Sequence, residues 1–182
     1  MKNYIKAIMV MLCIGAVAGG IYWYVRPVEQ LSERDIQDIH NLFKKDWYLL
    51  SARDYDYKHV DDTIRTGSPN EYEADYKGKM KFKVMREGDK FVGFVSYYMK
   101  NFQHGIILYL AVEPEFRSKG YGEKLLKYAV QQMFDQGACR VTLVARIDNT
   151  RGRAFYLRSG FKEMAEDRGF VGYRIDKPGC PT

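Results

Sequence analysis

The period of apolar and polar positions changes several times along the chain, and each change marks a predicted element. Ala7 to Val25 is a run of nineteen residues without a charge, set between Lys6 and Arg26. Ser32 with Asp35 three residues on reads as a capping box opening a helix. Ile36, Ile39, Phe43 and Trp47 then recur on one face, as a helix packed on a sheet requires. Residues 48 to 78 are the least regular. Met80 to Arg86 alternates (Met80, Phe82 and Val84 against Lys81 and Lys83), Glu87-Gly88-Asp89 is a hairpin turn, and Lys90 to Met99 is a second strand. A third strand runs from about Gly105 to Val112, with Pro114 stopping its ladder. From Glu123 to Gln136 the period becomes helical: Leu125, Leu126, Ala129, Val130, Met133 and Phe134 form one stripe, and Gly137 suits the position after the helix. Val141 to Ala145 is a short strand, Thr150 to Ser159 a short helix ended by Gly160, and Phe161 to Ile175 a last hairpin turning near Asp167-Arg168-Gly169.

The opening run admits three readings. As a helix it would be about 28 Å long, enough for a bilayer core, with Tyr22, Trp23 and Tyr24 at the interface. Ala16-Val17-Ala18 is also a small-residue cleavage pattern, as in a removable signal peptide. Ile21 to Val28 can instead already be a strand. Residues 1–25 are therefore set apart as anchor or signal peptide from a domain at 26–182.

Composition narrows the function. Of 182 residues 46% are apolar and 29% charged, as in a globular protein. The net charge of +6 is dispersed, with no Lys/Arg block longer than Lys44-Lys45, which argues against a nucleic-acid partner. Cys13, Cys139 and Cys180 are scattered and read as unpaired thiols, and His40, His59 and His104 lie too far apart for a zinc motif, so no metal is expected.

Chemistry concentrates in Arg117-Ser118-Lys119-Gly120-Tyr121-Gly122-Glu123, between the third strand and the helix. Such a loop turns several N–H groups toward one point at a helix N-terminus, beside two cations, and so favours a phosphate. Gly120 and Gly122 let the backbone approach closely.

Val112 to Gly122 resembles the R-x-x-G-x-G/A cradle of the GNAT superfamily of acyl-CoA N-acyltransferases. Asn149 to Phe161 (NTRGRAFYLRSGF) is similar to that family's second motif, with Gly152 where a small Ala is usual. Val25 to Val28 resembles its opening strand, so the likeness spans roughly residues 22 to 176. It implies an α/β (α+β) fold: a mixed central sheet whose antiparallel N-terminal half splays at the cofactor site, here preceded by an apolar N-terminal helix. It also implies N-acetyltransferase activity, with acetyl-CoA as co-substrate and an amine on a small molecule or a protein as acceptor. Arg117, Ser118, Lys119, Gly120, Tyr121 and Gly122 would hold the diphosphate of coenzyme A. Leu110, Ala111 and Val112 would pair with its pantetheine arm, Asn149 would bond that arm, and Tyr156 would be the general acid. The usual strand carboxylate is missing, which leaves His104 and Glu113 as candidate bases. Acetyl-CoA is a cytosolic metabolite, so the resemblance favours an uncleaved membrane anchor with the domain in the cytoplasm over export through a signal peptide.

Residues 48 to 76 interleave Asp54, Asp56, Asp61, Asp62, Glu71, Glu73 and Asp75 with five tyrosines, a wall suited to a cationic amine. Two rival classes remain. A dinucleotide-binding domain would need a third glycine where Leu125 stands. A non-catalytic, membrane-tethered acyl-CoA-binding module would keep the cradle and have no turnover.

Overall fold

The computed structural model describes residues 31–50 and 80–180. The Ala7–Val25 run, the Val25–Val28 strand and most of the acidic stretch at 48–76, including Asp61 and Asp62, lie outside the described residues. Among the described residues no helix is long and apolar enough to cross a membrane.

Helix α1 (Glu33–Leu50) opens on the capping box that the sequence announces. Asp35 N–H donates to Ser32 Oγ at 3.1 Å, and Ser32 N–H donates to the Asp35 carboxylate at 3.1 Å, so two orphan donors are satisfied reciprocally. Three strands follow: β1 (Lys81–Glu87), β2 (Lys90–Asn101) and β3 (His104–Val112). Pro114–Phe116 is one 3-10 turn. Helix α2 (Tyr121–Asp135) starts two residues earlier than its apolar stripe predicts. The chain then forms β4 (Arg140–Arg146), α3 (Thr150–Arg158), β5 (Lys162–Asp167) and β6 (Phe170–Asp176).

The six strands form one mixed sheet in the order β1-β2-β3-β4-β6-β5. Only β3 and β4 run parallel; the other neighbours are antiparallel. Leu125, Leu126, Ala129, Val130, Met133 and Phe134 of α2 are all buried on one face with Ile107, Leu143 and Tyr173. Burial of this kind stabilises by roughly 1.5–3 kcal/mol for each large apolar side chain. Ile36, Ile39, Leu42 and Phe43 of α1 cover Phe94, Tyr109 and Ala111 on the opposite face. The edge strand β5 is exposed along its whole length and carries Lys162, Glu163, Glu166 and Asp167, and such charges blunt it against pairing with another chain.

One irregularity sets up the site. Ser96 of β2 faces Tyr109 and the next residue, Tyr97, faces Ile107, which leaves Leu108 as an extra residue in β3. This bulge changes which residues share a face. Ile107 packs with α2, whereas Tyr109 and Ala111 pack with α1. A bulge bends its strand, and β3 departs from β4 at this point.

The thiols differ from expectation. Cys139 and Cys180 are joined in a disulfide, with Cα atoms 5.5 Å apart. The cysteines are 41 positions apart in sequence, and β4 and β6, which bring them together, are themselves adjacent only in the folded sheet. Cys13 lies outside the described residues.

Candidate active site

The parallel ladder between β3 and β4 has three pairs, His104↔Arg140, Gly105↔Val141 and Ile106↔Thr142. β3 then continues to Val112 and β4 to Arg146 with a cleft of about 490 Å³ between them. Leu108 to Val112 form one wall, Val144 and Ala145 the other, and α3 closes the side with Asn149, Phe155 and Tyr156. An extended chain can enter such a gap because facing strand edges offer alternating donors and acceptors.

The cradle lies at the open end. Ser118 and Gly120 both have left-handed backbone, with φ of 61° and 82°, and they curl the chain around Lys119 into a nest of amides. At Gly120 a side chain would find space but not the dihedral. Lys124 N–H bonds to the Gly120 carbonyl at 3.1 Å, so the amides of Tyr121, Gly122 and Glu123 ahead of it are those a helix leaves without an internal acceptor. Arg117 braces the loop: its Nε–H donates to the Val112 carbonyl at 2.8 Å. Burial, and then the charge of Arg151 on α3, lower the Arg117 guanidinium below its ordinary value. Both cations line the cleft beside the cradle.

On α3 the Gly152 N–H donates to Asn149 Oδ1 at 3.0 Å. A Cβ at position 152 would stand 2.6 Å from Asn149 Nδ2, which accounts for glycine where the motif usually has alanine. Tyr156 lines the cleft, with its ring 5.3 Å from Phe155, 5.5 Å from Tyr173 and 6.2 Å from Phe161. Burial, and secondarily Tyr173, push its phenol up to about 12.

Of the predicted residues, Leu110, Ala111, Val112, Arg117, Ser118, Gly120, Gly122, Asn149 and Tyr156 all border this cleft. Four others do not. Lys119 places Nζ 5.3 Å from the centre of the Phe116 ring, and Tyr121 O–H donates to Glu87 at 2.5 Å. Both belong to the outer side of the loop. Glu113 is held by Lys45 of α1, whose Nζ is 2.9 Å from each carboxylate oxygen. His104 starts β3 at the closed end of the cleft, with Nε2 2.7 Å from Thr142 Oγ1. Burial, followed by Arg140, Lys100 and Arg174, lowers its pKa below the ordinary imidazole value. Neither candidate base therefore reaches the gap. The sequence reading also passed over Arg151 and Arg158, which line the cleft from α3. Their spacing of seven places them on one helix face, a signal available from the 3.6 period.

Residues 36–161 match the acetyltransferase (GNAT) family. An uncharacterized N-acetyltransferase, YhfO, of Bacillus subtilis is 32% identical over 102 residues, 52% of this chain and 65% of that protein. N-alpha-acetyltransferase 30 of Schizosaccharomyces pombe is 30% identical over 82 residues, 43% of this chain and 55% of that protein. The chain thus spans less than two thirds of the length of either relative. Among solved structures, PaiA N-acetyltransferase of Thermoplasma acidophilum, in complex with coenzyme A, superposes with a TM-score of 0.63 at 19% identity, over 81% of this chain and 96% of that one. At that identity the likeness is one of fold.

Proposed function

The chain belongs to the GNAT acetyltransferase family, and on that premise we propose that it is an N-acetyltransferase carrying an acetyl group from acetyl-CoA to a primary amine, with donor and acceptor bound together. The observation that carries this reading is the β3–β4 gap, which ends at a nest of helix-terminal amides and is lined there by Arg117 and Arg151. A bound acetyl-CoA supplies an activated thioester carbonyl and a thiolate leaving group.

The chain's own groups divide the remaining work. The amides from Ser118 to Gly122, with Arg117 and Arg151, neutralise and orient the diphosphate. Backbone groups of Leu110 to Val112 pair with the pantetheine arm, and one N–H there stabilises charge that develops on the carbonyl oxygen. Asn149 spends Oδ1 on the helix cap and keeps Nδ2 for the arm. Tyr156 donates a hydrogen bond to the sulfur as the carbon–sulfur bond breaks. The one carboxylate of the described lining, Glu123, sits at the cradle with Lys127 at 2.6 Å. The acceptor therefore enters as the free amine, and the proton it sheds after attack passes through solvent to the departing thiolate.

Release of thiol from acetyl-CoA in the presence of a panel of amines tests the reading. Amine-dependent release is expected; coenzyme A binding without release from any amine would make the chain a binding module. Arg117→Ala and Arg151→Ala are each expected to weaken coenzyme A roughly 10- to 150-fold by calorimetry, about 1.5–3 kcal/mol for a charge-assisted hydrogen bond. If neither variant changes affinity, the diphosphate does not lie in this nest.

A further inference from the structure

We infer that Arg153 is a positioning residue for the transfer step, acting through Tyr173, whose ring is the surface against which Tyr156 is set; this rests on the acetyltransferase reading above. Helix α3 carries two groups that line the cleft, Asn149 at its N-cap and Tyr156 in its last turn. It is nine residues long and buries none of them fully, whereas α2 buries six. So short a helix is marginal alone. Phe155 and Tyr156 are only partly buried against the core, so the placement of α3 depends on individual ties to the sheet.

Arg153 makes such ties in three directions. Its Nη1–H donates to the Ile147 carbonyl, just before the helix, at 3.0 Å. Its Nε–H donates to the Tyr173 hydroxyl of β6 at 3.1 Å. Its Nη2 stands 3.4 Å from Glu163 Oε2 of β5. The Tyr173 hydroxyl donates in turn to that same oxygen at 3.0 Å, which closes a triangle of helix and two strands. The rigid, planar fork of a guanidinium can serve three acceptors at fixed angles, as an ammonium on a flexible stem does not.

The helix meets the same ring twice. Arg153 and Tyr156 are three positions apart and so neighbours on one helix face. Arg153 holds the hydroxyl end of Tyr173, and the Tyr156 ring lies 5.5 Å from the Tyr173 ring, tilted by 42°. Tyr173 is fully buried, with its backbone paired to Leu143 of β4 on one side and Glu163 of β5 on the other. It is a fixed reference, and Arg153 registers the helix upon it. The N-terminal end of α3 has ties of its own: Asn149 N–H donates to the Arg146 carbonyl at 3.1 Å, and Asn149 Oδ1 caps the Gly152 N–H. Loss of the fork is therefore felt most at Tyr156, while the cradle, built from another loop, keeps its hold on the donor. A displacement of about 1 Å can cost on the order of 10²-fold in rate. The Arg153 and Glu163 side chains are 28% and 41% exposed, and ion pairs so open to solvent add little stability. Position, not stability, is what Arg153 supplies.

Arg153→Met keeps most of the side chain's length and removes its donors. It is expected to lower kcat at least ten-fold, with the KM for acetyl-CoA within about two-fold and Tm within about 3 °C of the native chain. Tyr173→Phe keeps the ring and deletes the hydroxyl; kcat is expected to fall likewise, and the two changes together to be no worse than the worse of them alone. In a Tyr156→Phe background Arg153→Met is expected to cost less than about two-fold more, because no hydroxyl remains to be placed. Equal losses in both backgrounds, an unchanged kcat in Arg153→Met, or a collapse of its Tm overturns the inference and leaves the acetyltransferase reading in place. A native chain that releases thiol with no amine overturns that reading, and this inference with it.

Discussion

Tyr156→Phe is expected to lower kcat by roughly 10²- to 10³-fold while the dissociation constant of coenzyme A moves less than about two-fold. The substitution keeps the ring, and with it the contacts to Phe155, Phe161 and Tyr173. What it removes is one donor at the edge of the cleft. With the phenol pushed up to about 12 and an ordinary thiol near 8.5, complete transfer of the phenolic proton to the thiolate is uphill by about 5 kcal/mol at 1.36 kcal/mol for each pKa step. Tyr156 is therefore cast as a hydrogen-bond donor that stabilises the developing thiolate, not as the proton's final source. The sign of the pH dependence follows. The protonated phenol is the active form, so this residue costs activity only as the pH approaches 12. Below that range the rate rises with pH, tracking the free fraction of the acceptor amine. Equal kcat in the phenylalanine variant would show that the hydroxyl makes no contact that matters in the transition state.

The sequence carried the elements and the cradle because both are local. The 3.6 period of Leu125, Leu126, Ala129, Val130, Met133 and Phe134 identifies α2, and Ser32 with Asp35 identifies the start of α1. Gly120 stands out because a nest needs left-handed backbone. What stayed hidden is non-local. The bulge at Leu108 adds a single residue and leaves the apolar run of β3 unbroken, yet it decides that Ile107 and Tyr109 face opposite sides. His104 is only a few residues from the cleft in sequence. At about 3.3 Å per residue along β3, though, it is about 25 Å from Val112. Glu113 is adjacent to the cleft wall, but Lys45, 68 positions away, has already claimed its carboxylate. The pairing of Cys139 with Cys180 likewise required knowledge that β6 returns beside β4.

That pairing carries the second large effect. The bridge spans 41 positions and encloses β4, α3, β5 and all of β6, and therefore Asn149, Tyr156 and one wall of the cleft. Backbone bonds back it up: Lys177 N–H donates to the Cys139 carbonyl and Cys139 N–H to the Gln103 carbonyl, both at 2.8 Å. Lys177 Nζ reaches the Phe134 carbonyl at 2.8 Å. On the chain-entropy account a loop of this size confers about 4 kcal/mol, against a total of about 5–15 kcal/mol for an ordinary domain. Cys180→Ser is accordingly expected to lower Tm by roughly 8–16 °C, with reductant producing the same fall in the native chain and none in the variant. The bridge also bears on where the domain works. Disulfides persist in oxidising compartments, whereas the proposed acetyl donor is a cytosolic metabolite, so the two demands oppose each other. Thiol counting on the full chain, trapped with alkylating reagent in the cells that make it, separates them. Protection of both Cys139 and Cys180 from the reagent would place the domain where the bridge survives. Reaction of both would mean that the domain works without the bridge, its last strand held by the ladders to β4 and β5 and by the backbone bonds at Cys139.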